Sequence, residues 1–218
     1  LEALIYAGVC REGFETATPC RVAANVGVNP SAAVYDLSNA CLGIMNGILD
    51  IANRIELGQI RAGMVVSCET ARDIVNTTIE RMLQAPKDME LFKLSIATMT
   101  GGSGAAAVLL TDGSFPQSRQ RRLLGGVTQT APEFHDICYW RVDTEPATPW
   151  WEVMVTDSVS VLNNGVALGL TTWQAFLQEL NWTPEQVEKV ICHQVGSTHR
   201  DTILKTLNIP PNKDFSTH

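Results

Sequence analysis

The segment from residue 32 to residue 57 restricts the fold of this chain more than any other. Ala32-Ala33-Val34-Tyr35-Asp36-Leu37 reads as a strand, Ser38-Asn39-Ala40 as a turn, and residues 41–57 as a helix ended by Gly58. Leu42, Met45, Ile48, Leu49, Ala52 and Ile55 recur at spacings of three and four, while Ile44 and Ile51 lie off that stripe. A helix apolar nearly all round belongs in a core between layers. A strand, a tight turn and a buried helix in succession predict an α/β protein with covered sheets.

The rest of the chain keeps the same rhythm. Strands are predicted over residues 1–9, 62–68, 123–130 and 187–192, and residues 101–111 read as a small-residue turn followed by a strong strand. Helices are predicted over 22–26, 74–86, 158–180 and 198–207, with another starting at Thr183-Pro184-Glu185. Residues 11–20 read as polar and turn-like. A long irregular segment containing Pro132, Pro146, Pro149 and Trp150-Trp151 is predicted between the strand at 123–130 and the helix at 158. The domain reading is a first half over residues 1–115, a connector over 116–122 and a second half over 123–218.

Bulk properties narrow the function classes. The chain has 218 residues, 45% hydrophobic and 18% charged, within the range of ordinary soluble globular proteins. A formal charge of -7 carries no electrostatic footprint for nucleic acid. The run Ser118-Arg119-Gln120-Arg121-Arg122 reads as a solvated connector or as a contact for an anionic ligand. No apolar run reaches the roughly 18 residues that span a bilayer, and no signal-peptide pattern opens the sequence. The six cysteines, at 10, 20, 41, 68, 138 and 192, fit neither a zinc framework nor a disulfide scaffold. Thiols inside apolar runs, such as Cys68 and Cys192, are expected as small buried hydrophobes in a reducing cytoplasm.

Three residues are candidates for chemistry. Cys41 stands where a strand turns into a helix, and there unpaired N–H groups and the helix dipole favour negative charge. The thiolate is the nucleophilic form of cysteine, and Gly43 lets backbone approach closely. The same position also suits a buried structural cysteine. His193 lies just past an apolar run and before the turn Gln194-Val195-Gly196, where α/β folds present functional side chains. It can donate a hydrogen bond to a carbonyl or enolate oxygen, or serve as an ordinary hydrogen-bonded loop histidine. Glu15, beside Phe14 and Ala17, is a candidate base, though by pattern alone it is an exposed loop glutamate. His199 reads as surface or structural, and His135 and His218 lack supporting context.

Taken together, these segments resemble a known family. Tyr35-Asp36-Leu37-Ser38-Asn39-Ala40-Cys41-Leu42-Gly43 resembles the nucleophile segment of the ketoacyl synthase III branch of the thiolase superfamily. Cys192-His193-Gln194-Val195-Gly196 resembles its histidine loop, and Gly102-Ser103-Gly104-Ala105-Ala106-Ala107-Val108-Leu109 the closing strand of its first half. Ala7-Gly8-Val9-Cys10-Arg11, Val66-Ser67-Cys68-Glu69 and Leu124-Gly125-Gly126-Val127 look like the OleA type, the head-to-head acyl-CoA condensing enzymes of olefin biosynthesis. Val195-Gly196 after the His-Gln pair, in place of the usual Ala-Asn, points the same way.

The resemblance implies a layered αβαβα fold of two similar halves, incomplete at both ends. It implies a cytoplasmic homodimer in which Cys41 is acylated by one long-chain acyl-CoA. Glu15, reaching into the partner's site, takes the α-proton of a second acyl-CoA, and His193 stabilises the enolate oxygen. No metal or redox cofactor is required, and downstream partners would be other olefin-pathway enzymes. The family's catalytic asparagine, in a glycine-rich loop beyond the histidine, has no counterpart before His218, and the first strands and helix are also unmatched. The piece is therefore expected to be inactive alone and poorly folded. A decarboxylating ketoacyl synthase III, or an inactive thiolase-fold scaffold subunit, are the alternative expectations.

Overall fold

Five apolar residues in a row, Ala-Leu-Ile-Tyr-Ala, form the innermost strand of the main sheet. In the computed structural model, which describes residues 1–11, 13–115, 121–142 and 152–216, this strand is β1 (Ala3–Ala7), and all five residues are buried. Burial on both faces explains the continuous rather than alternating apolar pattern. The described residues group into two compact units, Leu1–Ala71 with Gly102–Leu123, and Arg72–Gly101 with Leu124–His218.

In the first unit, helix α1 (Pro19–Val26) links β1 to β2 (Ala33–Leu37), and helix α2 (Gly43–Glu56) links β2 to β3 (Ala62–Thr70). Strand β4 (Ser103–Thr111) completes a sheet of order β2-β1-β3-β4. β1 pairs in parallel with both β2 and β3, with Ala7 opposite Leu37 and Tyr6 opposite Val66. β4 runs antiparallel to β3. The carboxyl ends of three parallel strands therefore share one edge, where open α/β sheets place their ligands. Helix α1 ends where sequence predicts, on Gly27, whose φ of 72° is the left-handed cap that glycine adopts without strain.

Helix α2 lies over β1, β3 and β4. Ala3, Ile5, Ala7, Ile51 and Val65 form the core cluster, with Ile44, Ile48, Ile55 and Leu110 packed around it. The buried face is Gly43, Gly47 and Ile51, whereas Met45 is 55% exposed. Leu42 and Met45 of the apolar stripe thus face away from the sheet, while Ile48 and Ile55 of the same stripe pack on the core. Two small residues, invisible to a hydrophobicity count, let the helix approach so closely that the off-stripe Ile44 and Ile51 become core.

Gly47 illustrates how close. A Cβ there would stand 2.8 Å from Val65 Cγ1, and Val65 is fully buried and stiff about χ1. Alanine gains about 1 kcal/mol of helix propensity over glycine, but overpacking a tight core costs about 1–3 kcal/mol. Gly47→Ala is expected to be net destabilising, seen as a lower urea midpoint with an unchanged slope.

The second unit contains α3 (Arg72–Gln84), α4 (Met89–Ser95), the antiparallel pair β5 (Cys138–Val142) and β6 (Glu152–Thr156), α5 (Ser158–Leu180) and α6 (Ser197–Thr206). The side chain of Asp157 caps α5 by accepting from Ser160 N at 3.0 Å.

Several expectations are corrected. Residues 123–130 form no strand, because Gly125-Gly126 weakens the run and no ladder partner exists among the described residues. Residues 187–192 form only one parallel bridge, Val190 to Asp214, and the ladder does not continue past it. The segment read as irregular holds β5 and β6. Thr183-Pro184-Glu185 opens a single 3₁₀ turn, Pro184–Gln186, instead of a helix. Cys68 is exposed rather than buried, since it sits on the half of β3 paired to the exposed end of β4. The connector residues 116–120, the positions 143–151 that include Pro146, Pro149 and Trp150-Trp151, and His218 lie outside the described residues.

Candidate active site

Cys41 sits within a sharp elbow. After β2 the chain turns at Asn39 and Ala40, makes one 3₁₀ turn over Ala40–Leu42, and enters α2 at Gly43. Ala40 has φ 42°, a left-handed conformation that costs a residue with a side chain about 1–3 kcal/mol. Three bonds hold the elbow: Leu42 N donates to Asn39 O at 3.0 Å, Gly43 N donates to Ala40 O, and Asn39 Nδ2 donates to Asn46 Oδ1 at 2.5 Å. A Cβ on Gly43 would lie 3.5 Å from Ala7 Cβ, so the start of α2 rests on the end of β1.

Leu42, at the N-cap of α2, makes no side-chain cap bond, and the Gly43 N bond to Ala40 O runs across the 3₁₀ turn. The Cys41 thiol is exposed at this end of the helix. An accessible thiol at the entry to a helix can attack a carbonyl, and the positive end of the helix dipole favours the negative charge that develops there.

The far half of α2 is pinned to β2 ahead of the elbow. Tyr35 Oη donates to Asp50, Arg54 Nη2 donates to Tyr35 Oη at 2.9 Å, and Arg54 pairs with Asp50 at 3.3 Å. Burial first, and then the Asp50 carboxylate, push the Tyr35 phenol up to about 12.

Glu15 is exposed on the loop between β1 and α1, and Phe14 beside it is 99% exposed, so Phe14 does not cover the carboxylate. The loop is tied at both ends to the carboxyl edge of the sheet. At its far end Thr18 N donates to Asp36 Oδ2 at 3.1 Å, while Asp36 Oδ1 is buried with no hydrogen-bond partner among the described residues. At its near end Glu69, at the end of β3, accepts from Val9 N at 2.8 Å and from Cys10 N at 3.3 Å. Glu15 and Cys41 thus follow neighbouring parallel strands, although no hydrogen bond among the described residues joins them.

His193 belongs to the second unit. It lies exposed in the loop before α6, and Gly196 (φ 147°) turns the chain into that helix. The loop is anchored through Val190 N to Lys213 O and Phe215 N to Val190 O, each 2.9 Å. Arg200 Nε lies 3.0 Å from Asp214 Oδ2, but its N–H finds no aligned acceptor, so this contact is chiefly electrostatic. Burial, followed by Asp214, raises the Cys192 thiol above its ordinary value. The cavity of about 260 Å³ in this unit, lined by Trp173, Val187, Val190, Leu207, Ile209 and Lys213 among others, contains none of the three candidates.

His199, in α6, is held below its ordinary value by burial and, secondarily, by His193. A base depressed in the folded state stays neutral while the unfolded chain takes up a proton. Stability should therefore fall as pH drops from the ordinary histidine value of 6.5 toward the depressed one. Denaturant titrations across that window check this, and His199→Gln is expected to flatten the dependence.

Sequence reasoning missed Asn39–Asn46, Asp36 and Glu69 as supports of the site. Glu69 alone left a signal, an acidic residue ending an apolar strand.

The sheet, the cysteine elbow at its carboxyl edge and the histidine loop define a chain with the fold of the thiolase-superfamily condensing enzymes. Within that class it is a relative of the acyl-CoA:acyl-CoA alkyltransferases, the OleA type. It is 55% identical over 220 residues to the acyl-CoA:acyl-CoA alkyltransferase of Shewanella oneidensis, matching 100% of this chain and 63% of that protein. To the Xanthomonas campestris enzyme of the same name it is 33% identical, over 96% of this chain and 59% of that protein. A structure of Xanthomonas campestris OleA with bound lauric acid and lauroyl-CoA superposes with TM-score 0.86 at 33% identity, covering 99% of this chain and 61% of the other. A β-ketoacyl-acyl carrier protein synthase III of Lactiplantibacillus plantarum is more distant, 23% identical over 98% of this chain and 62% of that protein. No family model matches. The chain spans about three-fifths of the length of the curated relatives it matches.

Proposed function

We propose that the protein to which this chain belongs is an acyltransferase that joins two long-chain acyl-CoA thioesters by a Claisen condensation. The Cys41 thiolate attacks the first thioester, the acyl group moves to sulfur, and CoA thiolate leaves. Glu15, supplied by the partner protomer of a homodimer, removes an α-proton from the second acyl-CoA, and His193 donates to the resulting enolate oxygen. The carbanion attacks the acyl-cysteine carbonyl; a carbon–carbon bond forms, the carbon–sulfur bond breaks, and the Cys41 thiolate returns. The product is a 2-alkyl-3-oxoacyl thioester, hydrolysed to the corresponding acid, without decarboxylation.

The observation that carries this reading is the accessible thiol at a strained elbow, at the start of helix α2. Two features of the relatives support the finer assignment. One solved relative holds lauroyl-CoA, and variants of that enzyme have been solved at a cysteine and a glutamate separated in sequence as Cys41 and Glu15 are. None of these residues requires a metal or redox cofactor. The setting is the cytoplasm, where a thiol stays reduced and acyl-CoA is at hand. The consumer of the product would be an enzyme acting on 2-alkyl-3-oxo acids.

Substrate dependence tests the proposal. The intact protein should release CoA and form product from a single long-chain acyl-CoA. An absolute requirement for malonyl-acyl carrier protein would instead assign it to the decarboxylating ketoacyl synthases III.

A further inference from the structure

The loop that carries Glu15 leaves β1 through Gly8-Val9-Cys10, and this stretch is fastened to the end of β3. Glu69 Oε1 accepts from Val9 N at 2.8 Å and Oε2 from Cys10 N at 3.3 Å. Cys10 Sγ donates to Thr70 O at 3.2 Å. Tyr6 Oη lies 2.6 Å from Cys68 O and 2.7 Å from Cys10 O, so its single proton serves the two carbonyls in turn. Burial, then Glu69, push that phenol up to about 12. A Cβ on Gly8 would fall 2.0 Å from Glu69 Oε1, so a side chain there would push the carboxylate out of this place.

The latch lies beyond the ladder between β1 and β3, in which β1 pairs from Ala3 to Tyr6. Its effect is to fix the direction in which the chain departs from β1, on the side of the sheet edge opposite the Asp36 anchor at Thr18. A carboxylate accepting two backbone N–H groups defines a peptide orientation better than a single bond does, and charge-assisted bonds are roughly twice as strong as neutral ones.

We infer that Glu69 is a positioning residue for Glu15: its carboxylate, by holding the Val9 and Cys10 amides, sets the departure of the loop that presents the base. This rests on the reading of Glu15 as the base. Misplacement of a reacting group by about 1 Å can cost up to about a hundredfold in rate. Glu69→Ala in the full-length protein is therefore expected to slow condensation by about tenfold to a hundredfold, while acylation of Cys41 stays within about twofold. Glu69→Gln, which keeps one acceptor oxygen, should fall between the two.

Two further measurements separate positioning from general damage. If Glu69 acts through Glu15, the double variant Glu15→Ala with Glu69→Ala should condense no more slowly than Glu15→Ala alone. Amide exchange at Val9 and Cys10 should accelerate in Glu69→Ala while β1 stays protected. Unchanged condensation in Glu69→Ala, an equal loss of acylation, or a double variant slower than Glu15→Ala would overturn the inference. Should Glu15→Ala itself condense normally, the base assignment fails and the inference about Glu69 with it. Should Glu15→Ala fail to condense while Glu69→Ala is normal, only the inference fails.

Discussion

Replacing Cys41 with alanine in the full-length protein is expected to abolish both half-reactions, lowering turnover by at least about a thousandfold, since loss of an enzymic nucleophile removes the covalent route entirely. The elbow should survive the change. Its restraints are the Asn39–Asn46 bond, the Leu42 N to Asn39 O bond and the packing of Gly43 on Ala7, none of which involves the thiol. The exposed thiol fills no core space, so the urea midpoint should barely move. Mass spectrometry of the peptide spanning residue 41 then gives the check: acyl adduct with the cysteine, none with the alanine. A variant that lost stability along with activity would instead favour a structural role for Cys41.

Glu15→Ala is expected to separate the two halves of the reaction. Acylation of Cys41 needs no base for an α-proton and should proceed at close to its normal rate. Condensation should fall by about 10²–10⁴-fold, the range contributed by a positioned general base. Glu15 is exposed and makes no core contact, so a folding defect is not expected to confuse the result. Glu15→Asp keeps the carboxylate but withdraws it by one methylene, and should sit between the wild type and alanine. Single-turnover CoA release followed by product analysis distinguishes the steps, and a parallel loss in both would contradict the assignment.

How much of this could be read from the residues differs from element to element. The elbow, α2 and the uninterrupted strand β1 were legible because pattern and packing agree there: β1 is apolar throughout and buried throughout. Helix α5 was legible over 158–180 and spans Ser158–Leu180, although its Asp157 cap was not read from the sequence. The face that α2 buries was not legible, because glycine carries no hydrophobic signal, yet Gly43 and Gly47 decide how near the helix comes. Strands that depend on a distant partner misled in both directions. Residues 187–192 look like a strand and manage a single bridge, whereas Cys138–Val142 looks irregular in its context and pairs fully with Glu152–Thr156.

The candidate site divides in the same way. Cys41, His193 and Glu15 each occupy a position that local pattern can flag, but pattern alone left every one of them ambiguous. Their supports were harder still. Glu69 and Asp36 act across the sheet edge on backbone N–H groups many residues away, which no local periodicity encodes.

The most direct test of the central claim is to incubate the full-length protein with myristoyl-CoA alone and read both the peptide containing Cys41 and the product by mass spectrometry. A myristoyl mass on Cys41, together with a product retaining both acyl chains or its ketone breakdown product, is the result expected of a head-to-head condensing enzyme. Turnover with no adduct at Cys41, or an adduct that discharges only when malonyl-acyl carrier protein is added, would contradict it.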